Sequence, residues 1–299
     1  MKFAELYKSG RPDISFELFP PRTDRTMAEL EERLPKLIAL DPSLITVTYG
    51  ALGTTQSRTM EITSKIMNQY GMESAHHLTC VGSSREEIGL ILEDIRKHNI
   101  KNIVALRGDP PRGETEFTSP KDGYNHGNEL VEHISRVGGF SIAVAGYPEK
   151  HVEAPDFKTD IQNLKRKVDS GADVVITQLY YDNRNFYDFV ERCRAKGIHQ
   201  PIIPGLMPIL GMEQIKRITS MCGATIPRGL LRQLEDAGED EELVHEISII
   251  HTANQALDLL SQGVPGIHFY VLNRHSHIAE IMERIEPALR RIKGNVPAE

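Results

Sequence analysis

The stretches that decide the fold are IIPGL at residues 202–206, VVIT at 174–177 and IVAL at 103–106. Each is a short and almost wholly apolar run, without the alternation of apolar and polar residues that a half-exposed strand shows. Runs of this kind are typical of parallel strands that are covered on both faces. The sequence therefore predicts an α/β protein built on a buried parallel sheet.

Similar runs recur along the chain at an even spacing. The first four begin at residues 14, 44, 74 and 102, an interval that leaves room for one crossover helix between parallel strands. Eight strands alternating with helices predict a (β/α)8 TIM barrel, and a doubly wound open sheet is the alternative. The predicted strands are Ile14–Phe19, Leu44–Tyr49, Ser74–Thr79, Asn102–Leu106, Ser141–Ala145, Val174–Gln178, Ile202–Leu206 and Ile267–Val271.

Amphipathic stretches between these strands predict helices. Ser84 followed by Glu87 is typical of a capping box at the start of a helix. The predicted helices include Thr26–Ala39, Arg58–Tyr70, Ser84–His98, Asp160–Ser170, Arg184–Lys196 and Gly211–Met221.

Two segments interrupt the even spacing. Arg107–Asn125 is rich in glycine, proline and charge, and it follows the fourth strand, at the end of a barrel where functional loops lie. Thr225–Gln262 predicts a helical insertion before strand eight, and its acidic part, Glu235–Glu242, is interpreted as a solvated face. Because no linker divides the chain, we expect residues 1–299 to form a single domain.

Composition excludes several classes of function. The 299 residues carry a formal net charge of −7, which argues against a general nucleic-acid or anionic-membrane binder. No apolar run is long enough for a membrane span, and the N-terminus does not resemble a signal peptide. Cys80, Cys193 and Cys222 are widely spaced and form no CxxC motif, so we expect reduced thiols in a cytoplasmic protein.

Polar residues recur where the predicted strands end. Examples are Thr48, His77, Arg107, Gln178 and the pair Asn273-Arg274. The carboxyl-terminal ends of barrel strands meet at one face, and that face carries the active site of TIM-barrel enzymes. The sequence therefore predicts a polar site at this face.

Glu17 is the strongest candidate for catalysis. It stands between Phe16 and Leu18 in an apolar strand, and a carboxylate is seldom buried unless it is paired. Desolvation would raise its pKa, which suits a general acid at neutral pH. The alternative is a structural salt bridge, for example to Arg22.

His76 and His77 suggest a metal site at first sight. Neighbours on a strand point to opposite faces, so only one of them can face the barrel interior, and no carboxylates follow at ligand spacing. We therefore expect no metal. The chain also lacks the GxGxxG, GxSxG and Walker A motifs, so a Rossmann dinucleotide site is not indicated.

Taken in order, longer blocks of the sequence resemble one known family, the 5,10-methylenetetrahydrofolate reductases of the short bacterial type. The blocks extend over nearly the whole chain. They are SFELFPPRT at 15–23, ITVTYGA at 45–51, HHLTC at 76–80, IVALRGDPP at 103–111, YPEKHVEA at 147–154, LKRKVDSGAD at 164–173, ITQLYYD at 176–182, IIPGLMPI at 202–209 and HFYVLNR at 268–274.

This resemblance implies an FAD-binding TIM barrel that oxidises NADH or NADPH and reduces 5,10-methylenetetrahydrofolate to 5-methyltetrahydrofolate. Such an enzyme supplies the methyl group for methionine synthesis, and both substrates would use the flavin in turn, in a ping-pong reaction. The regulatory domain of the eukaryotic enzymes would be absent. The alternatives are a folate- or pterin-binding barrel methyltransferase and a non-redox folate-binding protein. We further expect small-molecule substrates, no nucleic-acid or membrane partner, and a homo-oligomer.

The resemblance also implies roles for individual residues. Glu17 would be the catalytic acid, and Asp109 would be the carboxylate that tunes the flavin ring. Gln178, Gln214 and Arg274 would contact the folate, while Ile218 replaces an aromatic residue that packs on the substrate in some bacterial members. The cofactor contacts would be Thr48, Tyr49, Ala51, His77, Arg107, Gly108, Asp109, Gly127, Tyr147, His151, Asp160, Asn163, Arg166 and Lys167.

Three of these cofactor contacts share one helix face. Asn163, Arg166 and Lys167 are spaced i, i+3 and i+4, so their side chains are neighbours on a helix. Two cations at this spacing can pair with a pyrophosphate. Without the resemblance, a solvated basic face would be the simpler interpretation.

Overall fold

The computed structural model describes residues 1–49, 56–108 and 117–295. These residues form one sheet of nine parallel strands, and each strand from β1 to β7 lies beside the next along the chain. The strands are β1 (Asp13–Leu18), β2 (Leu44–Val47), β3 (Ser74–Thr79), β4 (Asn102–Leu106), β5 (Ser141–Gly146), β6 (Val174–Thr177), β7 (Ile202–Ile203), β8 (Gly205–Leu206) and β9 (Gly266–Tyr270).

The predicted strand Ile202–Leu206 is interrupted at Pro204, which separates β7 from β8. Proline has no N–H to donate to a ladder, so the pairing changes partner there. β7 pairs with β6, whereas β8 pairs with β9, which in turn pairs with β1. This segment thereby closes the sheet into a ring, and the predicted TIM barrel is confirmed.

Gly205 allows this closure because the chain passes close to its neighbours. A Cβ at this position would lie 2.2 Å from the carbonyl oxygen of Thr177 and 2.8 Å from the ring of Tyr270. The backbone N–H of Gly205 donates to Oγ1 of Thr177 at 2.9 Å. A larger residue would push β8 away from β6.

Helices surround the barrel and follow the strands in turn. The capping box predicted at Ser84 is confirmed, since its Oγ accepts from Glu87 N at 3.3 Å and its own N–H donates to the Glu87 carboxylate at 2.7 Å. The helices are α1 (Phe3–Leu6), α2 (Asp24–Ile38), α3 (Gln56–Tyr70), α4 (Arg85–Lys97), α5 (Gly127–Val137), α6 (Phe157–Asp169), α7 (Asn183–Ala195), α8 (Met212–Cys222), α9 (Arg228–Ala237), α10 (Glu241–Ser261) and α11 (His275–Asn295).

The two faces of each strand serve different layers. On β1, Ile14, Phe16 and Leu18 point outward into the main core between the sheet and the helices. Ser15 and Glu17 alternate with them and therefore point into the barrel. Inside the barrel, α1 closes the amino-terminal end, where Phe3, Leu6 and Tyr7 pack with a smaller apolar cluster from the strands.

A third apolar cluster lies beyond the carboxyl-terminal ends of β6 and β8. It is formed by α8, α9 and the start of α10, which stand between β8 and β9 in the chain. Ile218 packs against this cluster. Among the described residues, no helix combines the length and the apolar character needed to cross a bilayer.

Candidate active site

A cavity of about 610 Å3 opens at the carboxyl-terminal end of the barrel. Residues in or directly after the strands form one part of its wall, so the strand ends do meet at one site. They include Glu17, Thr48, Tyr49, His77, Arg107, Gly108, Tyr147, Gln178 and Tyr270.

Glu17 lies at the floor of the cavity between two imidazoles. Its Oε2 is 3.4 Å from Nε2 of His77 on β3 and 3.3 Å from Nε2 of His268 on β9. Its side chain is 18% exposed, whereas those of His77 and His268 are 5% and 0% exposed. The carboxylate is therefore the member of this cluster that is most open to a ligand.

The sequence-based expectation for the pKa of Glu17 is wrong for the ligand-free protein. Burial raises the pKa of Glu17, but the charge of His77 and the hydrogen bond from His268 together lower it by more than burial raises it. The pKa of Glu17 therefore falls below its ordinary value. The predicted structural partner, Arg22, is not the residue that the carboxylate meets. A proton on Glu17 at neutral pH therefore requires a bound ligand that changes this balance.

The two neighbouring histidines have different environments, as strand alternation predicted. His77 faces the cavity, and its buried Nε2 makes no hydrogen bond among the described residues. His76 points outward, is fully buried, and packs 5.8 Å from the ring of Tyr49. Burial lowers the pKa of His77 to about 4 and that of His76 to about 3.

The opposite side of the cavity is suited to an anion. The first residues of α5, Gly127 and Asn128, line the wall there, and a helix N-terminus presents N–H groups and a positive dipole. Asn163, Arg166 and Lys167 of α6 also line the wall, and Arg166 donates to Oδ1 of Asn163 at 2.9 Å. The predicted shared face of α6 is thus part of the cavity.

Lys167 is held within the wall of the cavity. Its Nζ donates to the carbonyl oxygen of Ala145 and lies 5.6 Å from the centre of the Tyr147 ring. Burial lowers the pKa of Lys167 to about 8 and raises that of Asp160, two turns earlier on α6. Asp160 accepts from the backbone N–H of His151 at 3.3 Å, which ties the loop after β5 to this helix.

Arg107 and Gly108 form the rim where β4 ends. The guanidinium of Arg107 binds the carboxylate of Glu153 through two hydrogen bonds of 2.6 and 2.7 Å. Gly108 has a φ of +91°, and a Cβ there would lie 2.8 Å from a methyl group of Val81. Only glycine fits this position without moving its neighbours.

The residues predicted to contact folate are divided between the cavity and its surroundings. Gln178 lines the cavity, and its Oε1 accepts from Leu179 N at 2.9 Å. Gln214 is not among the described residues that line the wall, and its Oε1 accepts from Leu210 N at 3.2 Å. Arg274 is exposed, and it too is outside the described lining. Ala51 and Asp109, both predicted to contact the flavin, lie outside the described residues.

Some residues of this site were missed by the sequence analysis. Ser15 and His268 lie beneath Glu17, and Glu153 and Tyr270 line the wall. Ser15, His268 and Tyr270 could have been identified from the period of a strand. Ser15 is two positions from Glu17, and His268 is two positions from Tyr270, so each pair puts polar groups on one face of an apolar strand.

Known proteins resemble this chain closely in sequence. The family model for methylenetetrahydrofolate reductase matches residues 2–286. Methylenetetrahydrofolate reductase (NADH) 1 of Zea mays is 38% identical over 283 residues, which cover 91% of this chain and 48% of the maize protein. The 5,10-methylenetetrahydrofolate reductase of Escherichia coli K12 is 37% identical over 269 residues, covering 89% of this chain and 88% of that enzyme. The chain thus spans about half the length of the plant relatives.

Solved structures show the same fold at low sequence identity. A Clostridium thermocellum protein described as binding two copies of 5-methyl-5,6,7,8-tetrahydrofolic acid has a TM-score of 0.61 and 16% identity, with 96% of this chain and 98% of that chain covered. Dihydropteroate synthase from Xanthomonas albilineans, in complex with 7,8-dihydropteroate, has a TM-score of 0.53 and 11% identity, with 96% and 94% covered.

Proposed function

The chain belongs to the methylenetetrahydrofolate reductase family, and on that premise we propose that it reduces 5,10-methylenetetrahydrofolate to 5-methyltetrahydrofolate, with FAD as cofactor and NADH or NADPH as electron donor. The observation that carries this proposal is the composition of one cavity. A carboxylate between two imidazoles lies at its floor, and a helix N-terminus with two cations lies across from it.

The residues present fit FAD by their chemistry. Arg166, Lys167 and the N-terminus of α5 supply donors and positive charge for a pyrophosphate. The buried Nε2 of His77, which makes no hydrogen bond among the described residues, and the apolar side chains of Leu106 and Ile176 suit a flat ring that has polar edges. The assigned contacts at Ala51 and Asp109 remain predictions from the sequence.

When bound, FAD would supply hydride chemistry by accepting a hydride from the nicotinamide and delivering it to the folate. The protein would contribute the proton. The five-membered ring of 5,10-methylenetetrahydrofolate opens when N10 departs, and that nitrogen needs a proton to leave. We assign this proton to the carboxyl group of Glu17, held at the floor of the cavity by β1.

Gln178 would orient both substrates. Its Oε1 already accepts a hydrogen bond from Leu179 N, so Gln178 would bind a ligand mainly by donating from its side-chain NH2. Nicotinamide and pterin both carry acceptors for such a donor. Because one cavity would serve both substrates in turn, a ping-pong reaction follows.

The wider predictions belong to the same proposal. Residues 1–299 would act as a single FAD-binding reductase domain in a cytoplasmic homo-oligomer, feeding methionine synthesis. Roles for Gln214 and Arg274 in binding the folate would require those side chains to move toward the cavity when the substrate binds.

Visible absorption of the purified protein tests the proposal. We expect a flavin spectrum that identifies FAD, bleaching by anaerobic NADH or NADPH, and recovery of the colour on addition of 5,10-methylenetetrahydrofolate. A colourless protein that takes up no added FAD would favour the methyltransferase or the non-redox folate-binding alternative. Preference for FMN would contradict the phosphate-binding role of Arg166 and Lys167.

A further inference from the structure

We propose that Ser15 and His268, supported by Tyr7, are positioning residues that keep the transferable proton of Glu17 on Oε1, the oxygen that neither imidazole contacts. The inference rests on the proposed function, because it takes Glu17 as the acid. It concerns residues beneath the cavity floor that do not themselves touch a substrate.

A continuous row of hydrogen bonds runs from the base of the barrel to Glu17. The hydroxyl of Tyr7, next to α1, is 3.0 Å from Oγ of Ser15. Ser15 Oγ is 2.9 Å from Nδ1 of His268, whose Nε2 is 3.3 Å from Oε2 of Glu17. Tyr7, Ser15 and His268 are 4%, 0% and 0% exposed, so water does not compete for these groups.

The register of the barrel creates this row. Ser15 pairs directly with His268 across the β1–β9 ladder, and Glu17 pairs with Tyr270. All four side chains point inward because they occupy alternate positions on their strands. The row therefore depends on the closure of the ring, which brings residues 251 positions apart into contact.

Electrostatics decide the direction of these hydrogen bonds. If Nδ1 of His268 carried the proton, the lone pair of its Nε2 would face the carboxylate oxygen of Glu17, and the two would repel. If Nε2 carries the proton, it donates to Glu17, and Nδ1 accepts from the Ser15 hydroxyl. Ser15 Oγ can then accept from Tyr7, so that every hydroxyl hydrogen has an acceptor.

This direction has a consequence for catalysis. His77 and His268 both contact Oε2 of Glu17, and Oε2 accepts the hydrogen bond from Nε2–H of His268. When Glu17 becomes protonated, its proton is placed on Oε1. Without the Ser15 hydroxyl, His268 could carry its proton on Nδ1, and Oε2–H of Glu17 would then donate to Nε2, away from the substrate.

Ser15→Ala tests this inference, and Ser74→Ala is the matched control. Ser74 is also fully buried on a barrel strand, but its hydroxyl donates to the carbonyl oxygen of Ile45 at 2.7 Å. In Ser15→Ala we expect the folate half-reaction to slow about tenfold, the loss of roughly one hydrogen bond. Reduction by NADH should change less than about twofold, and Ser74→Ala should leave both half-reactions intact. The measurement is anaerobic rapid mixing.

Nitrogen NMR of histidine-labelled protein gives a readout that does not depend on activity. We expect protonated Nε2 and unprotonated Nδ1 for His268 in the original protein, and a shift toward the other tautomer in Ser15→Ala. His268→Gln identifies the signal. The opposite tautomer in the original protein, an unchanged folate rate in Ser15→Ala, or equal slowing of both half-reactions would overturn the inference. A normal folate rate in Glu17→Gln would instead overturn the proposed acid, while the NMR result would still report on the row of hydrogen bonds.

Discussion

Nε2 of His77 lies 3.4 Å from Oε2 of Glu17 at the floor of the cavity. The two groups influence each other's protonation: burial drives His77 toward its neutral form, with a pKa of about 4, while its proximity favours the ionised form of Glu17. At neutral pH the ligand-free site therefore holds an ionised carboxylate beside a neutral imidazole. A substrate that needs a proton must change this state before it can react.

Glu17→Gln should separate the two half-reactions. The amide keeps the shape of the side chain but has no proton to transfer, and general acid catalysis contributes about 10²–10⁴-fold. We expect recovery of the flavin colour by 5,10-methylenetetrahydrofolate to slow by that factor, about 3–5 kcal/mol of barrier, while reduction by NADH changes little. In the original protein the folate half-reaction should slow as pH rises, because the protonated fraction of the acid falls. Equal slowing of both half-reactions would contradict the assignment.

Lys167→Met should weaken FAD binding and change its pH dependence. With a pKa of about 8 in the ligand-free protein, Lys167 loses its charge as pH rises above that value, and binding of a pyrophosphate must then restore the proton. FAD affinity in the original protein should therefore fall above about pH 8, by up to roughly tenfold per pH unit. The variant should bind FAD about 10–100-fold more weakly at pH 7, the range for a hydrogen bond to a charged group. It should also lack this pH dependence.

Lys165→Met is the control for that measurement. Lys165 lies on the same helix and pairs with Asp169, and it is not among the residues that line the cavity in the described part of the chain. Flavin fluorescence during titration reports both affinities. Similar losses in the two variants would show a general effect of charge rather than a phosphate contact.

Gln178→Ala should impair both half-reactions while FAD stays bound. Its side chain lines the cavity, and the backbone N–H of Gln178 donates to Gly146 O at 2.8 Å, a contact that the substitution leaves intact. We expect a loss of about tenfold with each substrate, the value of one or two hydrogen bonds. Full rates with both substrates, measured by rapid mixing, would assign Gln178 a structural role only.

The barrel could be predicted because its signal is repeated along the chain. Parallel strands buried on both faces must be apolar, and runs such as IVAL and VVIT show this without reference to any distant residue. Glu17 could be identified for the same reason, since a carboxylate in such a strand needs an explanation. The short helix α1 could not, because four residues are too few to show a helical period.

The partners of Glu17 were beyond prediction from the sequence. Ser15 and His268 are compatible with ordinary packing in a strand, and only the pairing of the first strand, β1, with the last, β9, brings them together. The lowered pKa of Glu17 follows from these partners, so desolvation alone predicted the wrong direction. Spacing on α6 predicted a shared face but not the half-buried position of Lys167, whose Nζ contacts the carbonyl oxygen of Ala145.

His76→Phe should reduce the sensitivity of the fold to acid. In the native protein His76 is fully buried with a pKa of about 3, and neither ring nitrogen has a hydrogen-bond partner in the described part of the chain. An unfolded histidine has a pKa of about 6.5. Between these two values the unfolded chain binds a proton that the folded protein does not, so the stability is present above pH 6.5 and is lost as pH falls. One proton corresponds to about 1.4 kcal/mol per pH unit in the free energy of unfolding.

Urea unfolding of the variant tests this expectation. Between pH 6 and pH 4, the free energy of unfolding should change with pH less steeply than in the original protein, by up to that amount per pH unit. Stability at pH 7 should be unchanged or higher, because phenylalanine leaves no unpaired nitrogen. His77 and His277, each with a pKa of about 4, should maintain part of the slope. The exposed His199, replaced by phenylalanine, is the control, and parallel pH profiles for His76→Phe and the original protein would contradict the prediction.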